Sequence, residues 1–246
     1  MMSNSDQIPS IEARAIGSGV SSATIKIWQP FATQHLWTAL HMARLCDERE
    51  TELLGQGETG PDIEHKALAT TAVISAACFV ESYVNEIYAV AADDNRALRA
   101  QMDGVDNRAA ELLGLVWKGT DMAADKWALL DKYQFALAVA GKPKMNPGTN
   151  PCQNMKRLLR LRNALVHFKP EWQAHDVAHK VEADLKGIFP GNRLYGGAPW
   201  FPQVCLAYGC AEWACDTSIS FVDTWCGEMG IKLRPQDSMD GWPRKP

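Results

Sequence analysis

Apolar residues recur at helical spacing along most of this chain. From 67 to 92 they dominate, with few polar interruptions such as Glu81 and Asn85. A helix that is apolar on nearly all sides is buried, so this stretch predicts the central helix of a bundle rather than a membrane span. Helices are predicted over 31–54, 62–92, 107–116, 121–140, 151–170, 171–188 and 203–229, with Asp62 as the N-cap of the second. The predicted fold class is therefore all-α, an up-and-down helical bundle of about five to seven helices.

The two ends of the chain depart from this pattern. Residues 1–30 predict a poorly defined N-terminal arm, in which the alternation of Ala23–Trp28 indicates a short strand or an extended segment. Residues 31–230 predict the helical bundle, and residues 231–246 a Pro-rich C-terminal tail. We expect one domain with extensions at both ends.

Composition restricts the functional classes. The 246 residues are 46% apolar and 22% charged, which is typical of a globular protein with a sizeable core. A formal net charge of −4 argues against a protein that coats nucleic acid without specificity. The N-terminus lacks the order of a signal peptide, and the seven cysteines include no CxxC pair. We expect reduced, buried thiols, a cytoplasmic location and no membrane contact.

Charge is unevenly distributed along the chain. Between Lys132 and Pro170 there are eight Lys or Arg residues and no Asp or Glu. These eight of the 25 basic residues leave 17 for the rest of the chain, against all 29 acidic ones. A concentration of positive charge in an otherwise acidic protein indicates a site for an anion.

The segment KRLLRLRNALVHFKP, residues 156–170, separates its side chains into two stripes when placed on a helical wheel. The polar, outward stripe consists of Lys156, Arg160, Asn163 and His167. The apolar, core-facing stripe consists of Leu158, Leu161, Leu165 and Phe168. The outward stripe has the residue types that bind a phosphate backbone.

Arg162 lies on the apolar flank of this helix, next to Leu158 and Val166 on the wheel. An unpaired buried guanidinium is energetically costly, so Arg162 must be paired or face another chain. We hypothesise that Glu81, the carboxylate in the middle of the apolar second helix, or the amide of Asn85 contacts it across the bundle.

These residue types fit cleavage of RNA without a metal ion. His167 would act as the general base that takes the proton of a 2′-hydroxyl, whose oxygen then attacks the adjacent phosphate. Arg162 would stabilise the pentacovalent transition state. The competing interpretation is structural, with Arg162 as a core arginine and His167 as a capping residue before Pro170. It predicts that Arg162→Ala unfolds the protein.

The motif RNALVHF, with Arg162, Asn163 and His167, resembles the HEPN superfamily signature of Arg, a polar residue, about three further residues and His. The resemblance extends to the ESYVNEIY, DKWALLDKY and CAEWACDTSISFVDTW segments and covers roughly residues 62–229. It implies a helical bundle that dimerises so that two Arg/His sets line one cleft. It also implies a metal-independent endoribonuclease, as in toxin–antitoxin or anti-phage systems, or a catalytically inactive relative that binds a partner protein, RNA or nucleotide.

We therefore expect a homodimer that cleaves RNA and has a possible antitoxin or other protein partner. Asn163 would position Arg162 or His167, or bind phosphate, while Lys156, Arg160 and Lys169 attract the RNA backbone. No cofactor and no metal are expected. One metal-binding alternative, Glu171, His175 and His179 at helical spacing, is outweighed by the interpretation of a solvated helix face.

Overall fold

The computed structural model describes residues 11–15, 23–119, 124–170, 178–197 and 199–238, and only the backbone of residues 11–15, 23–26 and Arg96. The elements in these ranges are β1 (Ile11–Ala15), β2 (Ala23–Ile27), α1 (Ala32–Gly55), α2 (Ile63–Ala92), α3 (Arg96–Arg99), α4 (Asn107–Lys118), α5 (Leu129–Val139), α6 (Cys152–Val166), α7 (Lys180–Leu185) and α8 (Tyr208–Met229). The predicted all-α helical bundle is confirmed. The predicted strand is β2, which pairs antiparallel with β1 in a hairpin that precedes the bundle.

α2 is the central helix of the bundle. It packs against α1, α4, α5, α6 and α8, and the side chains of Val73, Val80, Val84 and Ile87 are buried between them. Among the described helices, α2 alone is long and apolar enough to cross a membrane, yet 56% of its most apolar window is buried inside the protein. Its apolar character is therefore explained by its central position in the core.

Carboxylates determine where the first two helices begin. Asp62 accepts a hydrogen bond from the His65 backbone N–H at 2.7 Å, which confirms the predicted N-cap of α2. No side chain within its own first turn caps α1. Instead, Glu86 of α2 accepts hydrogen bonds from the N–H groups of Phe31 (2.6 Å) and Ala32 (2.7 Å). Burial raises the pKa of Glu86, and these two hydrogen bonds oppose that effect.

An aromatic cluster joins α5 to α2 and α8. The Tyr133 hydroxyl donates to the carbonyl of Val80 at 2.6 Å, and the indole N–H of Trp225 donates to the carbonyl of Tyr133 at 3.0 Å. The rings of Tyr133 and Trp225 pack edge to face, with centroids 5.0 Å apart. The hydrogen bonds satisfy polar groups that would otherwise be costly to bury.

Several predicted helix boundaries are wrong. The helix predicted over 121–140 is α5, which begins at Leu129 among the described residues; 121–123 lie outside them. Extended Ala128 separates α5 from a short turn at Ala124–Lys126. This break allows Trp127 to pack edge-on against Phe135. The helix predicted over 171–188 is α7. Among the described residues it covers only Lys180–Leu185, and 171–177 lie outside the described residues. The last helix begins at Tyr208 rather than at 203, after an extended residue at Ala207.

α6 also ends earlier than predicted. Its last helical residue is Val166, and His167 has non-helical backbone angles. Pro170 disfavours helical geometry at the residue before it, so the chain leaves the helix ahead of the proline. As a consequence Phe168, predicted to face the core, lies beyond the helix and is 49% exposed.

We expect Leu161→Ala to lower the melting temperature by about 5–15 °C. Leu161 is fully buried on the inner side of α6, and truncating a buried leucine costs about 2–5 kcal/mol. Thermal unfolding followed by circular dichroism measures the change. Leu115→Ala is the control, because Leu115 on α4 is exposed and its truncation should change stability by no more than about 0.5 kcal/mol. Equal losses of melting temperature in both variants would contradict the buried position of Leu161 on α6.

Candidate functional site

α6 presents two different faces, as predicted. Leu158 and Leu161 are fully buried and Leu165 is half-buried against the core, which confirms that side of the helix. On the other side, Arg160, Asn163 and His167 are exposed, and Lys156 is half-buried. The buried face packs against α2 and α8, so the polar residues project from a rigid scaffold.

Arg162 contacts Glu81, as hypothesised. Its guanidinium nitrogen lies 3.5 Å from a carboxylate oxygen of Glu81 across the α2–α6 interface. The expectation that both groups are deeply buried is wrong, because the side chains are 29% and 46% exposed. Glu81 lies on the rim of α2, where water reaches the pair. Burial raises the pKa of Cys78, one turn earlier on α2, and the positive charge of Arg162 opposes that shift.

The exposure of this ion pair has a chemical consequence. A half-exposed pair contributes little to stability, so Arg162 is not a core arginine. Asn163 supports it from the same helix, because its side-chain oxygen accepts a hydrogen bond from the guanidinium at 3.0 Å. Arg162 is therefore held by its neighbours and still accessible to a ligand.

Asn85 does not contact Arg162, contrary to the alternative hypothesis. Its side-chain oxygen instead accepts a hydrogen bond from the Lys132 ammonium at 2.8 Å. Lys132, on α5, also donates to the carbonyl of Asp125 at 3.1 Å, and the residue is only 1% exposed. Burial lowers the pKa of Lys132, while the charges of Glu81 and Asp125 oppose that shift. In the sequence, Lys132 was notable only as the first residue of the basic segment from Lys132 to Pro170.

The basic segment from Lys132 to Pro170 contains no acidic residue, but an acidic residue from another helix lies next to it in the fold. The guanidinium of Arg160 lies 3.0 and 2.9 Å from the two carboxylate oxygens of Asp184 on α7. Lys156 donates to the carbonyl of Pro147 at 3.2 Å, and Lys169 is exposed after the end of α6. Of the three predicted RNA-binding cations, Lys156 and Arg160 therefore lie on one side of α6, Lys169 follows the end of the helix, and Arg160 already has an anionic partner.

His167 occupies the C-cap position of α6. Its backbone N–H donates to the carbonyl of Asn163 at 3.0 Å, and its side chain is exposed. Its capping role was part of the structural alternative, but an exposed imidazole is also free to exchange protons with a ligand. Arg162 and His167 are five residues apart, which corresponds to roughly 7.5 Å along a helix and about 140° around it.

A second cluster was not predicted. The sulfur of Cys46, a carboxylate oxygen of Glu50 and a ring nitrogen of His65 all lie within 4.8 Å of one another, and all three residues are buried. Sequence reasoning missed them because they come from two helices. Of the metal-binding alternative at 171, 175 and 179, the first two positions lie outside the described residues. His179 accepts a hydrogen bond from the Val181 N–H and caps α7.

We expect Asn85→Ala to destabilise the protein more than Glu81→Ala. The first substitution removes an acceptor from the buried Lys132 ammonium, which should cost about 1–3 kcal/mol. The second breaks a half-exposed ion pair and should cost less than about 1 kcal/mol. Urea denaturation of both variants measures the difference. A larger loss in Glu81→Ala would mean that the Arg162–Glu81 pair is a structural core element.

Comparisons with protein-family models, with curated proteins and with solved structures gave no match to this chain. The HEPN resemblance therefore rests on the residues quoted above, of which Arg162, Asn163 and His167 lie at one end of α6. The fold is a helical bundle, which agrees with the resemblance but is shared by many unrelated proteins. The geometry of α6 and its neighbours is the basis for any functional conclusion.

Proposed function

We propose that this protein is a metal-independent endoribonuclease of HEPN type. The observation that supports it most directly is the accessible guanidinium of Arg162, held by Glu81 and Asn163 a little over one turn before the exposed His167. An arginine that serves only structure has no need of solvent access. A transition-state stabiliser must be both positioned and accessible, because it has to meet a charge that develops on the substrate.

In this mechanism His167 acts on the 2′-hydroxyl of the RNA. Its neutral imidazole takes the hydroxyl proton, and the 2′ oxygen attacks the adjacent phosphorus. Arg162 binds the non-bridging oxygens, whose negative charge grows in the pentacovalent transition state. The bond to the 5′ oxygen of the next nucleotide then breaks, and that oxygen takes up a proton. The products are a 2′,3′-cyclic phosphate and a free 5′-hydroxyl.

We further propose that the active form is a homodimer. Arg162 and His167 project about 140° apart from one helix, so a single copy does not direct both groups at one phosphate. A cleft formed by two copies would contain two arginines and two histidines. Val166 and Phe168, about half exposed beside the motif, provide apolar surface for such a contact. A toxin–antitoxin or anti-phage system, with an antitoxin as a further partner in the cytoplasm, is the biological context that the family resemblance implies.

The alternative is a catalytically inactive helical module that binds a partner protein, RNA or nucleotide through the same surface. The observation that favours it is the ion pairing of two cations of the site, Arg162 with Glu81 and Arg160 with Asp184. A surface whose charges are already paired can bind an anion only by exchange of partners. Binding without cleavage is the expected behaviour of such a module.

Cleavage of RNA in EDTA separates the two functions. We expect the wild-type protein to cleave total RNA in EDTA, and His167→Ala and Arg162→Ala to abolish cleavage. The first variant loses the base for the 2′-hydroxyl, and the second loses the group that stabilises the charge on the phosphate. His41→Ala is the control, since His41 is a half-buried histidine on α1 outside the site. Melting temperatures in the same buffer show whether each variant is folded. Binding by a folded wild type that does not cleave supports the module, and unfolding of Arg162→Ala supports a structural motif.

We also expect Asp184→Asn to tighten RNA binding and steepen its salt dependence. Removing this carboxylate frees Arg160 for one additional phosphate, which should change the slope of log K against log salt by about 0.7 for a single strand. Glu182→Gln is the matched control, because Glu182 also lies on α7 but pairs with Lys186. Filter binding over a range of salt concentrations measures both slopes. Equal slopes of log K against log salt in the two variants would show that Arg160 is not part of the RNA-binding surface.

A further inference from the structure

The buried cluster at the loop end of α1 and α2 has no role in the proposed cleavage. Cys46 and Glu50 lie one turn apart on the same face of α1, and His65 lies in the first turn of α2. All three are at most 1% exposed. His65 and Glu81 are 16 residues apart on α2, roughly 24 Å along the helix axis, so the cluster is far from Arg162.

The donor atoms in this cluster form a typical set for a thiophilic divalent cation. They are one thiol sulfur, one imidazole nitrogen and one carboxylate oxygen, which are the three ligand types that bind zinc in proteins. The His65 ring nitrogen lies 2.7 Å from a Glu50 carboxylate oxygen. Ligands around a tetrahedral zinc ion are roughly 3–4 Å apart, so a small separation of these two groups opens the site. The ion then occupies the place of the proton that they share.

Two groups that are not among the three donors also hydrogen-bond to the Glu50 carboxylate. Arg193 donates to one of its oxygens, and the backbone N–H of Tyr208 donates to the other at 3.2 Å. Arg193 also contacts Asp47 at 3.1 Å. Such outer hydrogen bonds are typical of carboxylates that coordinate metals, because they orient the ligand.

Charge balance supports a divalent ion. With the Cys46 thiol deprotonated, as metal binding requires, Cys46, Glu50 and Asp47 together carry three negative charges, and Arg193 carries one positive charge. A divalent ion brings this buried or half-buried group of charges to neutrality. Without the ion, the protonated thiol of Cys46 limits the negative charge of this low-solvent region.

We propose that Cys46, Glu50 and His65 bind a zinc ion or a similar thiophilic divalent cation. The ion is structural. It joins the α1–α2 hairpin to Arg193 and the start of α8, and it takes no part in RNA cleavage.

Cobalt binding tests this proposal on the full-length protein, with no RNA present. After chelator treatment, the wild type is titrated with CoCl2, and we expect one equivalent to produce a thiolate-to-cobalt charge-transfer band that zinc abolishes. Cys46→Ala should lose the band and bind cobalt at least about tenfold more weakly. Cys152→Ala is the matched control, because Cys152 is a buried thiol on α6 far from the cluster.

The wild-type titration alone decides whether a thiolate site exists, and it does so even where a variant fails to fold. Absence of the band in a folded wild type overturns the proposal and leaves a hydrogen-bonded cluster of Glu50, His65 and Arg193. An unchanged band in folded Cys46→Ala also overturns it, since the ion would then bind elsewhere. A rise in wild-type melting temperature on addition of ZnCl2 provides a second measurement, and no rise contradicts a structural ion.

Discussion

α2 is apolar on most of its faces, and most of this apolar surface is buried in the core. Because one neighbouring helix covers only one stripe, this burial requires several partners, and α1, α4, α5, α6 and α8 supply them. The arrangement of the remaining helices follows from that requirement. The few polar residues of α2 are consequently placed at its contacts with the surrounding helices.

Three polar residues of α2 have definite partners on neighbouring parts of the chain. Glu86 accepts hydrogen bonds from the start of α1, Asn85 accepts one from the buried ammonium of Lys132, and Glu81 contacts the guanidinium of Arg162. Their burial differs and so does their energetic importance. An acceptor for a buried cation is costly to remove, whereas a half-exposed ion pair contributes little. Neighbouring positions on α2 therefore have different roles: Asn85 stabilises the fold, whereas Glu81 holds an accessible arginine.

This division bears on the proposed ribonuclease. A guanidinium held by a weak, half-exposed pair keeps its position while its outer face meets solvent. The contact of one Arg160 guanidinium nitrogen with both carboxylate oxygens of Asp184 limits the cationic surface that RNA would meet, in a chain whose net charge is already −4. Binding of a phosphate backbone then requires exchange of carboxylate for phosphate, which weakens contact with arbitrary nucleic acid.

The sequence by itself determined the helical class, the central helix, the Asp62 cap and the buried face of α6, because each depends on the spacing of residues within one segment. It also indicated that Arg162 needs a carboxylate, since an unpaired guanidinium beside apolar residues is costly. Only the tertiary structure decided which groups meet across elements. The Asn85–Lys132 contact, the Arg160–Asp184 pair and the Cys46–Glu50–His65 cluster all join residues from different helices. Local periodicity contains no information about such distances, because they depend on how the helices pack around α2.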